Sequence, residues 1–366
     1  MRGRDITHLL NNSQRVLVSL LFLFCLGAWQ SVPVSAQEKP ESKEPAAQEP
    51  AASQEPAKPA DKAPPSAAAQ DNQNEQTDSE GGVFVFRKNV DEVMLHATVV
   101  DDKQHIVTTL DKSAFTVFED GKPQSIISFH HIDIPVAMGI VIDNSGSMRE
   151  KRNKVNQAAL NLVRSSNPKD EVFIVNFNDE QYLDQDFTHD LLKLKEALEK
   201  IDARGGTALY DAVVASSEHL KKNARLEKKV IFVVTDGEDN ASSETLEQSV
   251  KQLQEEGGPS VYAIGILGDE EHPKRAKKAL QVLADRTGGI AFFPKTLDEV
   301  DEISRTIAND IRNQYAIGYK PGIPKKAGEF RQIRVEAKAK GHGKMVVRTK
   351  SGYYAGAQSA SSGAGK

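Results

Sequence analysis

The chain has 366 residues, of which 27% are charged, and it has a formal net charge of −5 and a single cysteine, Cys25. This length accommodates two domains of ordinary size. A mildly acidic chain lacks the basic footprint of a nucleic-acid-binding protein, and one cysteine excludes a disulfide framework, so neither is expected.

The N-terminal segment, residues 1–36, has the features of an export signal. Arginines precede an apolar stretch over Val16–Trp29 that is short for a membrane span. Small residues in Val34–Ala36 predict cleavage after Ala36. Cleavage leaves a secreted or periplasmic protein with no cysteine and no stable membrane span. Retention of the segment as an uncleaved anchor is the alternative.

Two segments have the composition of disordered chain. Residues 37–82 are rich in Ala, Pro, Glu, Lys, Gln and Ser and have almost no large apolar side chain. Burial therefore cannot offset the entropy lost on ordering. Residues 357–366 are small and polar as well. We predict a flexible tether after the export signal and a short disordered tail.

Strands are predicted on both flanks of the chain, in residues 83–134 and 313–356, because apolar residues there recur with a period of two. Asp120–Gly121 has the sequence of a hairpin turn. Either flank alone would expose an apolar face and open edges, so we predict that both form one small antiparallel β-sandwich. The predicted strands are Val83–Phe86, Val93–Val100, Phe115–Phe118, Ser125–Phe129, Gln314–Tyr319, Phe330–Ala337, and a last strand comprising Met345–Thr349 with Tyr353–Tyr354.

Between the flanks, over residues 135–312, short apolar strands alternate with amphipathic helices. This alternation predicts an α/β domain with a doubly wound, mostly parallel sheet flanked by helices, inserted into the β-sandwich. The predicted strands are Val136–Ile142, Val172–Phe177, an edge strand near Tyr182–Phe187, Val230–Val234, Val261–Ile266 and Ile290–Phe293. The predicted helices are Glu150–Arg164, Leu191–Ile201, Leu209–Leu220, Ser243–Glu255, Lys274–Thr287 and Leu297–Arg312.

Oxygen-bearing side chains follow the strands of this predicted sheet. Asp143, Ser145 and Ser147 follow its first strand, Thr207 lies in a glycine-containing loop, and Asp236 ends a later central strand. Ligands of open α/β sheets bind at the carboxyl ends of the strands, so these loops are expected to meet. Two carboxylates and three hydroxyls suit Mg²⁺, with Mn²⁺ or Ca²⁺ as substitutes. With only two charged ligands, such a metal would keep exchangeable waters and accept a partner's carboxylate.

Each of these motifs also has a purely structural interpretation. Ser147 with Glu150 matches a capping box. Thr207 can cap the helix that follows it, and Asp236 with Gly237 can form a simple turn. Their order on one predicted sheet edge favours a metal site over three coincidences. Three nearby acidic residues are predicted to support the site or remain solvated: Asp211, Glu238 and Asp239.

The pattern Asp143-x-Ser145-x-Ser147, Thr207 and Asp236 resembles the metal-ion-dependent adhesion site of von Willebrand factor A domains. The resemblance covers the predicted α/β domain. It implies that these five residues are metal ligands, the two serines directly and the others directly or through water. Three flanking segments are similar to a bacterial, exported subgroup of that family: Phe115–Gln124, Tyr315–Pro321 and Gly352–Tyr354.

The predicted function is an exported binding or adhesion module that holds a protein or surface ligand through the cation, with an acidic residue of the ligand completing the coordination. A cell-envelope scaffold with a loop-stabilising metal is the alternative. A metal-dependent hydrolase is less favoured, because no nucleophile–base pair and no Walker-type loop accompany the motifs, so no catalytic residue is assigned. His130 and His131 are interpreted as structural or as an interdomain contact, since neighbours on a strand point to opposite faces.

Overall fold

A computed structural model describes residues 92–131, 133–200, 202–268, 273–323 and 326–356. The predicted export signal, tether, first strand and C-terminal tail lie outside these described residues. All of the described residues belong to one compact unit, Val83–Lys366.

The described residues form thirteen strands and six α-helices. The strands are β1 (Val93–Val100), β2 (Phe115–Glu119), β3 (Lys122–His130), β4 (Val136–Asp143), β5 (Glu171–Phe177), β6 (Gln181–Thr188), β7 (Lys228–Thr235), β8 (Ser260–Gly265), β9 (Ala291–Phe292), β10 (Tyr315–Lys320), β11 (Phe330–Ala337), β12 (Val346–Arg348) and β13 (Gly352–Tyr354). The helices are α1 (Arg152–Ser165), α2 (Leu191–Glu199), α3 (Leu209–Asn223), α4 (Leu246–Leu253), α5 (Pro273–Thr287) and α6 (Glu299–Arg312).

Strands from both flanks build a single antiparallel sheet, which we call the β unit. Its strand order is β12-β1-β10-β3-β2-β11-β13, so that β10 from the C-terminal flank lies between β1 and β3 from the N-terminal flank. The sheet curls around a core that includes Leu95, Val117 and Tyr319, all fully buried. The prediction that the two flanks combine into one antiparallel unit is confirmed, and the unit is one curled sheet.

The last predicted strand of the β unit is wrong in one respect. Met345–Thr349 and Tyr353–Tyr354 do not continue one another, because β12 pairs with β1 and β13 pairs with β11 at the opposite edge. Between them, the Ser351 amide donates to the Arg286 carbonyl at the end of α5, at 3.2 Å. That partner lies far away in the sequence, so a local period-two pattern cannot reveal the break.

The central part of the chain forms a six-stranded sheet with helices on both faces, which we call the α/β region. The strand order is β6-β5-β4-β7-β8-β9, and every neighbouring pair is parallel except β5 with β6. Helices α1, α2 and α6 pack on one face and α3, α4 and α5 on the other. The fold class predicted from the sequence is confirmed.

The strand order of the α/β region reverses beside β4. After β4 the chain builds outward through β5 and β6, then returns to place β7 on the other side of β4. The loop after β4 leads to α1 on one face, whereas the loop after β7 leads to α4 on the opposite face. A crevice therefore opens between the carboxyl ends of these two strands, as in other doubly wound sheets.

A buried hydrogen-bond network joins the α/β region to the β unit. The Asp310 carboxylate, in the last turn of α6, accepts from the Tyr262 hydroxyl at 2.7 Å and the Thr98 hydroxyl at 3.3 Å. It also forms an ion pair with Arg348 at 2.5 Å. Thr98 and Arg348 belong to the β unit, so this one carboxylate is bonded to both parts of the fold.

The two adjacent histidines lie near the same junction. His130 ends β3 and is exposed, while the His131 ring stacks against the Tyr315 ring with centroids 4.4 Å apart. Burial lowers the pKa of His131 below its usual value. The contact of His131 agrees with its structural interpretation.

Candidate metal centre

Asp143 is the last residue of β4 and is fully buried. Its Oδ1 accepts from the Ser145 amide at 2.7 Å, and its Oδ2 accepts from the Thr235 hydroxyl of the neighbouring β7 at 2.6 Å. Burial raises the pKa of Asp143 to about 6, with a smaller contribution from the charge of Asp236, while hydrogen bonds from Thr235 and Ser145 oppose the rise. The carboxylate is thus held in one orientation by the loop after β4 and by the end of β7.

The two serines lie on the turn that follows β4. Gly146–Met148 forms a short 3₁₀ helix, anchored in the core by the fully buried Met148 side chain. The Ser145 and Ser147 hydroxyl oxygens are 3.1 Å apart. The Ser147 hydroxyl also donates to Asp236 Oδ1 at 2.8 Å, which joins the loop after β4 to the loop after β7.

The helix-capping interpretation of Ser147 is wrong. Helix α1 begins at Arg152, two residues later than predicted, and its N-cap, Lys151, makes no side-chain capping hydrogen bond. The Ser147 hydroxyl is directed at Asp236 instead. A capping box does occur at the start of α4, between Thr245 and Gln248. The sequence pattern alone cannot distinguish the two cases, because the competing acceptor comes from another strand.

Asp236 directly follows β7 and its side chain is fully buried. Each of its carboxylate oxygens has a partner: Oδ1 accepts from Ser147, and Oδ2 accepts from the Lys151 ammonium at 2.5 Å. The Lys151 side chain is only 16% exposed. Lys151 is a site residue that the sequence analysis missed.

Thr207 lies on a loop that its neighbours hold in place. The Asp179 carboxylate accepts from the Gly206 amide at 2.8 Å, and the Asn240 side-chain oxygen accepts from the Thr207 amide at 2.9 Å. Gly205 has a positive φ of 75°, and a Cβ added there would overlap the Asp179 carboxylate. Helix α3 has Ala208 as its N-cap with no side-chain capping bond, so the capping interpretation of Thr207 is also wrong.

The three loops enclose one open cavity of about 290 Å³ at the carboxyl edge of the sheet. Asp143 and Asp236 are fully buried, and each is hydrogen-bonded to a lining residue, Ser145 and Ser147 respectively. The cavity is lined by Ser145, Gly146, Ser147, Gly205, Gly206, Thr207, Gly237, Glu238, Asp239 and Asn240. The structure therefore brings all five sequence-predicted ligand residues to this edge, three at the cavity surface and two directly below it.

The spacing of the oxygens fits a small divalent cation. Two oxygens in neighbouring positions of an octahedral Mg²⁺ site lie about 3 Å apart, since each is about 2.1 Å from the metal. The Ser145–Ser147 hydroxyl spacing is 3.1 Å, and the Ser147–Asp236 spacing is 2.8 Å. Within the described residues, no three His, Cys, Asp or Glu side chains converge as a metal cluster, so any ion here depends on hydroxyl ligands.

The other acidic residues near the site have structural partners. The Asp211 carboxylate accepts from the Ser243 and Glu244 amides, both at 2.9 Å. Asp239 accepts from the Tyr210 amide at 2.9 Å and the Ser242 hydroxyl at 2.6 Å. Glu238 lines the cavity and lies 3.7 Å from Arg275.

Supporting residues outside the recognised motifs also escaped the sequence analysis. Thr235 orients Asp143, while Asp179 and Asn240 orient the Thr207 loop. Thr235 and Asn240 lie close to Asp236 in the sequence, and their position beside a predicted ligand could have indicated that they belong to the site. Asp179 belongs to the turn after β5 and had no such indication.

Residues 138–238 match the family model described as the von Willebrand factor type A domain. The matched segment lies inside the α/β region and includes all five predicted ligand residues. The α/β region thus has a von Willebrand factor A-like fold, to which the β unit is added. No curated protein matches the chain.

Solved structures with a similar fold come from several organisms. That of von Willebrand factor type A from Catenulispora acidiphila is 15% identical with a TM-score of 0.43, covering 75% of this chain and 76% of that chain. An aerotolerance-related membrane protein from Bacteroides fragilis is 20% identical with a TM-score of 0.40, covering 48% and 98%. The vWF domain of the type V pili tip protein Mfa5 from Porphyromonas gingivalis is 14% identical with a TM-score of 0.40, covering 49% and 97%. Similarity of this size carries no information about a ligand.

None of the helices in the described part of the chain is both long and apolar enough to cross a membrane.

Proposed function

We propose that this chain is an exported binding module that holds a partner through a divalent cation, with Mg²⁺ as the preferred ion and Mn²⁺ or Ca²⁺ as substitutes. The observation that supports it is the convergence of Asp143, Ser145, Ser147, Thr207 and Asp236 on one open cavity where the strand order reverses. Protein–protein interaction or adhesion is also the usual role of von Willebrand factor type A domains.

Each predicted ligand residue has a definite role in this proposal. Asp143 and Asp236 supply two negative charges from below the cavity, while Ser145, Ser147 and Thr207 supply neutral oxygens at its surface. When bound, the cation supplies an electrophilic centre that an acidic side chain can ligate. Because two carboxylates only balance a divalent charge, such an ion still attracts a carboxylate from a partner. The partner is therefore a protein or surface ligand that presents an acidic residue.

The scaffold alternative assigns the cation to loop stabilisation. The Thr207 loop, however, is already bonded to Asp179 and Asn240, and the loop after β4 is bonded to Thr235 through Asp143. Loops with so many direct bonds have little need of a metal to order them. This favours a binding role over a structural one.

The hydrolase alternative needs a general base beside a nucleophile. Neither histidine nor cysteine is among the described residues that line the cavity. The hydroxyl of Ser147 is bonded to Asp236, whose other oxygen is engaged by Lys151. We therefore propose a non-enzymatic function.

Calorimetric titration of the chain with Mn²⁺ and Mg²⁺ tests the metal site directly. We expect one site in the natural chain and a loss of at least roughly tenfold in affinity for Asp143→Asn, which removes a ligand charge with little change of shape. The matched control is Asp170→Asn, a buried carboxylate that accepts from the Val136 amide at the opposite end of β4 at 2.8 Å. Equal affinity in all three proteins would refute the metal site.

A capture experiment then tests the binding role. Immobilised chain is incubated with cell-envelope extract in Mg²⁺ or in EDTA, and the bound proteins are compared with those held by Asp143→Asn. We expect a partner that requires both Mg²⁺ and Asp143. If Ser145→Ala retains that partner while its thermal stability falls, the metal has the scaffold role and the binding proposal is wrong.

A further inference from the structure

The ammonium group of Lys151 contacts the buried Asp236 carboxylate and balances its negative charge. We propose that Lys151 and the divalent cation compete for Asp236, so that metal binding is an exchange of one cation for the other. This inference rests on the proposed function, because it concerns the same site. It adds Lys151, which lies outside the predicted ligand residues, as a residue that sets the affinity of the site for the cation.

The geometry links Lys151 directly to the predicted ligands. Lys151 Nζ is 2.5 Å from Asp236 Oδ2, while Ser147 donates to Oδ1 of the same carboxylate at 2.8 Å. Ser147 is in turn 3.1 Å from Ser145. The ammonium therefore bonds to one member of a continuous chain of predicted ligand oxygens.

The charges show why the two cations exclude each other. Among the described residues, Lys151 is the cation that forms an ion pair with either predicted ligand carboxylate. Within the described part of the chain, the donors to Asp143 are neutral groups of Ser145 and Thr235. A divalent ion coordinated by Asp236 would lie beside the ammonium in a poorly solvated place, where like charges repel strongly. Occupation of Asp236 by the ion therefore requires Lys151 to leave.

Lys151 is able to leave because of its position and its chemistry. It precedes α1 as the N-cap residue, and its four-carbon stem is flexible with a strongly hydrated end group. The side chain is 16% exposed, so it already reaches the surface. The ion pair thus compensates the buried Asp236 charge without closing the site permanently.

Lys151→Met tests the exchange in the full chain. We expect Mn²⁺ to bind roughly tenfold more tightly to this variant, since the ion no longer displaces a charge-assisted hydrogen bond. The matched control is Lys154→Met, one turn further along, whose ion pair with Asp298 at 2.5 Å is exposed on both sides. The control should bind Mn²⁺ as the natural chain does.

Thermal unfolding separates this role from simple stabilisation. In EDTA, Lys151→Met should melt at a lower temperature than the natural chain, because Asp236 loses its counter-charge. In saturating Mn²⁺ the deficit should disappear. An equal deficit under both conditions, or an unchanged Mn²⁺ affinity, would overturn the exchange while leaving the metal site intact. Failure of the natural chain to bind Mn²⁺ would overturn both proposals.

Lysine acetylation, read by mass spectrometry, tests the natural chain without any substitution. We expect the modification of Lys151 by an acetylating reagent to rise several-fold on addition of Mn²⁺, since the released ammonium becomes accessible. Lys154 provides the internal reference and should be modified equally in Mn²⁺ and EDTA. No change at Lys151 while Mn²⁺ is bound would refute the exchange.

Discussion

Asp143 and Asp310 are both buried carboxylates of the α/β region, but they lie at opposite ends of its sheet. Asp143 lies at the carboxyl end of β4, directly below an open cavity. Asp310 lies near the end where β7 begins, as the bond from the Lys228 ammonium to the Ile311 carbonyl indicates. Each is fully or almost fully buried and each has two or more donors.

The two ends differ in their donors and in their access to solvent. At the cavity the side-chain donors include Ser147 and Thr235, and a hydroxyl can either donate to a carboxylate or offer a lone pair to a cation. At the junction, Asp310 also accepts from two hydroxyls, those of Thr98 and Tyr262, but its other oxygen is paired with Arg348, whose guanidinium has no lone pair to offer. In the proposed function, the cavity end exchanges hydrogen bonds for metal bonds when the cation binds. The junction end joins the β unit to the α/β region through Asp310 and Arg348.

Substitution of Asp310 should have the largest effect on stability. Asp310→Ala leaves the partly buried Arg348 and the Tyr262 hydroxyl without their acceptor, and we expect a loss of about 3–5 kcal/mol in the free energy of unfolding. Urea denaturation measures it. The control, Glu218→Ala, removes an exposed i,i+4 pair with Lys222 on α3 and should cost less than about 1 kcal/mol. A loss for Asp310→Ala as small as that of the control would contradict the locking role.

A smaller loss of stability is expected at the cavity end, from Gly205→Ala. Gly205 has a φ of 75° and Gly257 a φ of 73°, but only at Gly205 would a Cβ overlap a neighbour, Asp179. We expect Gly257→Ala to cost about 1 kcal/mol for backbone strain alone, and Gly205→Ala about 2–3 kcal/mol. Mn²⁺ affinity should fall only for Gly205→Ala, because that loop positions Thr207. Equal effects of both substitutions on Mn²⁺ binding would show that the loop does not shape the site.

The smallest expected effect is a change in how the free energy of unfolding depends on pH, through lysines buried near the junction. Burial lowers the pKa of Lys228 from its ordinary 10.5 to about 8, and the same cause lowers that of Lys350 to about 8. Between pH 8 and pH 10.5 the unfolded chain binds more protons than the folded one. The free energy of unfolding should therefore rise as the pH increases from 8. Lys228→Met should reduce this gain, measured by urea denaturation between pH 7.5 and 9.5, by about 1 kcal/mol. The exposed Lys112→Met should leave the gain unchanged, and an identical gain in Lys228→Met would refute the assignment.

Much of the fold follows from local patterns. The bounds of β1 and β11 equal their predictions, Val93–Val100 and Phe330–Ala337. The burial of β11 alternates along the strand, and that of β1 alternates between buried and half-buried over its first four residues. The turn Asp120–Gly121 has the two positive φ values, 49° and 76°, that its sequence predicts. The start of α1 and the division between β12 and β13 were not predictable. Both depend on hydrogen bonds to distant segments, Asp236 for the first and Arg286 for the second.

The candidate site divides in the same way. Its five predicted ligand residues could be selected from the sequence, because each lies in a loop or at a strand end of the predicted α/β order. Lys151 and Asp179 were not predicted, because each bonds to a residue far away in the sequence. Lys151 bonds to Asp236, and Asp179 bonds to the Gly206 amide. Neither residue differs in its local sequence from ordinary solvated charges.

The sequence by itself determined the alternating α/β order, the two β flanks, and the oxygen-rich loops at strand ends. These features depend on side-chain chemistry and on periods of two or 3.6 residues, which are local. Only the tertiary structure decided that the flanks interleave into one curled sheet, that Asp310 joins it to the α/β region, and that Lys151 reaches Asp236. Such contacts join residues far apart in the chain, and they form because a buried polar group must find its partner wherever the fold brings one.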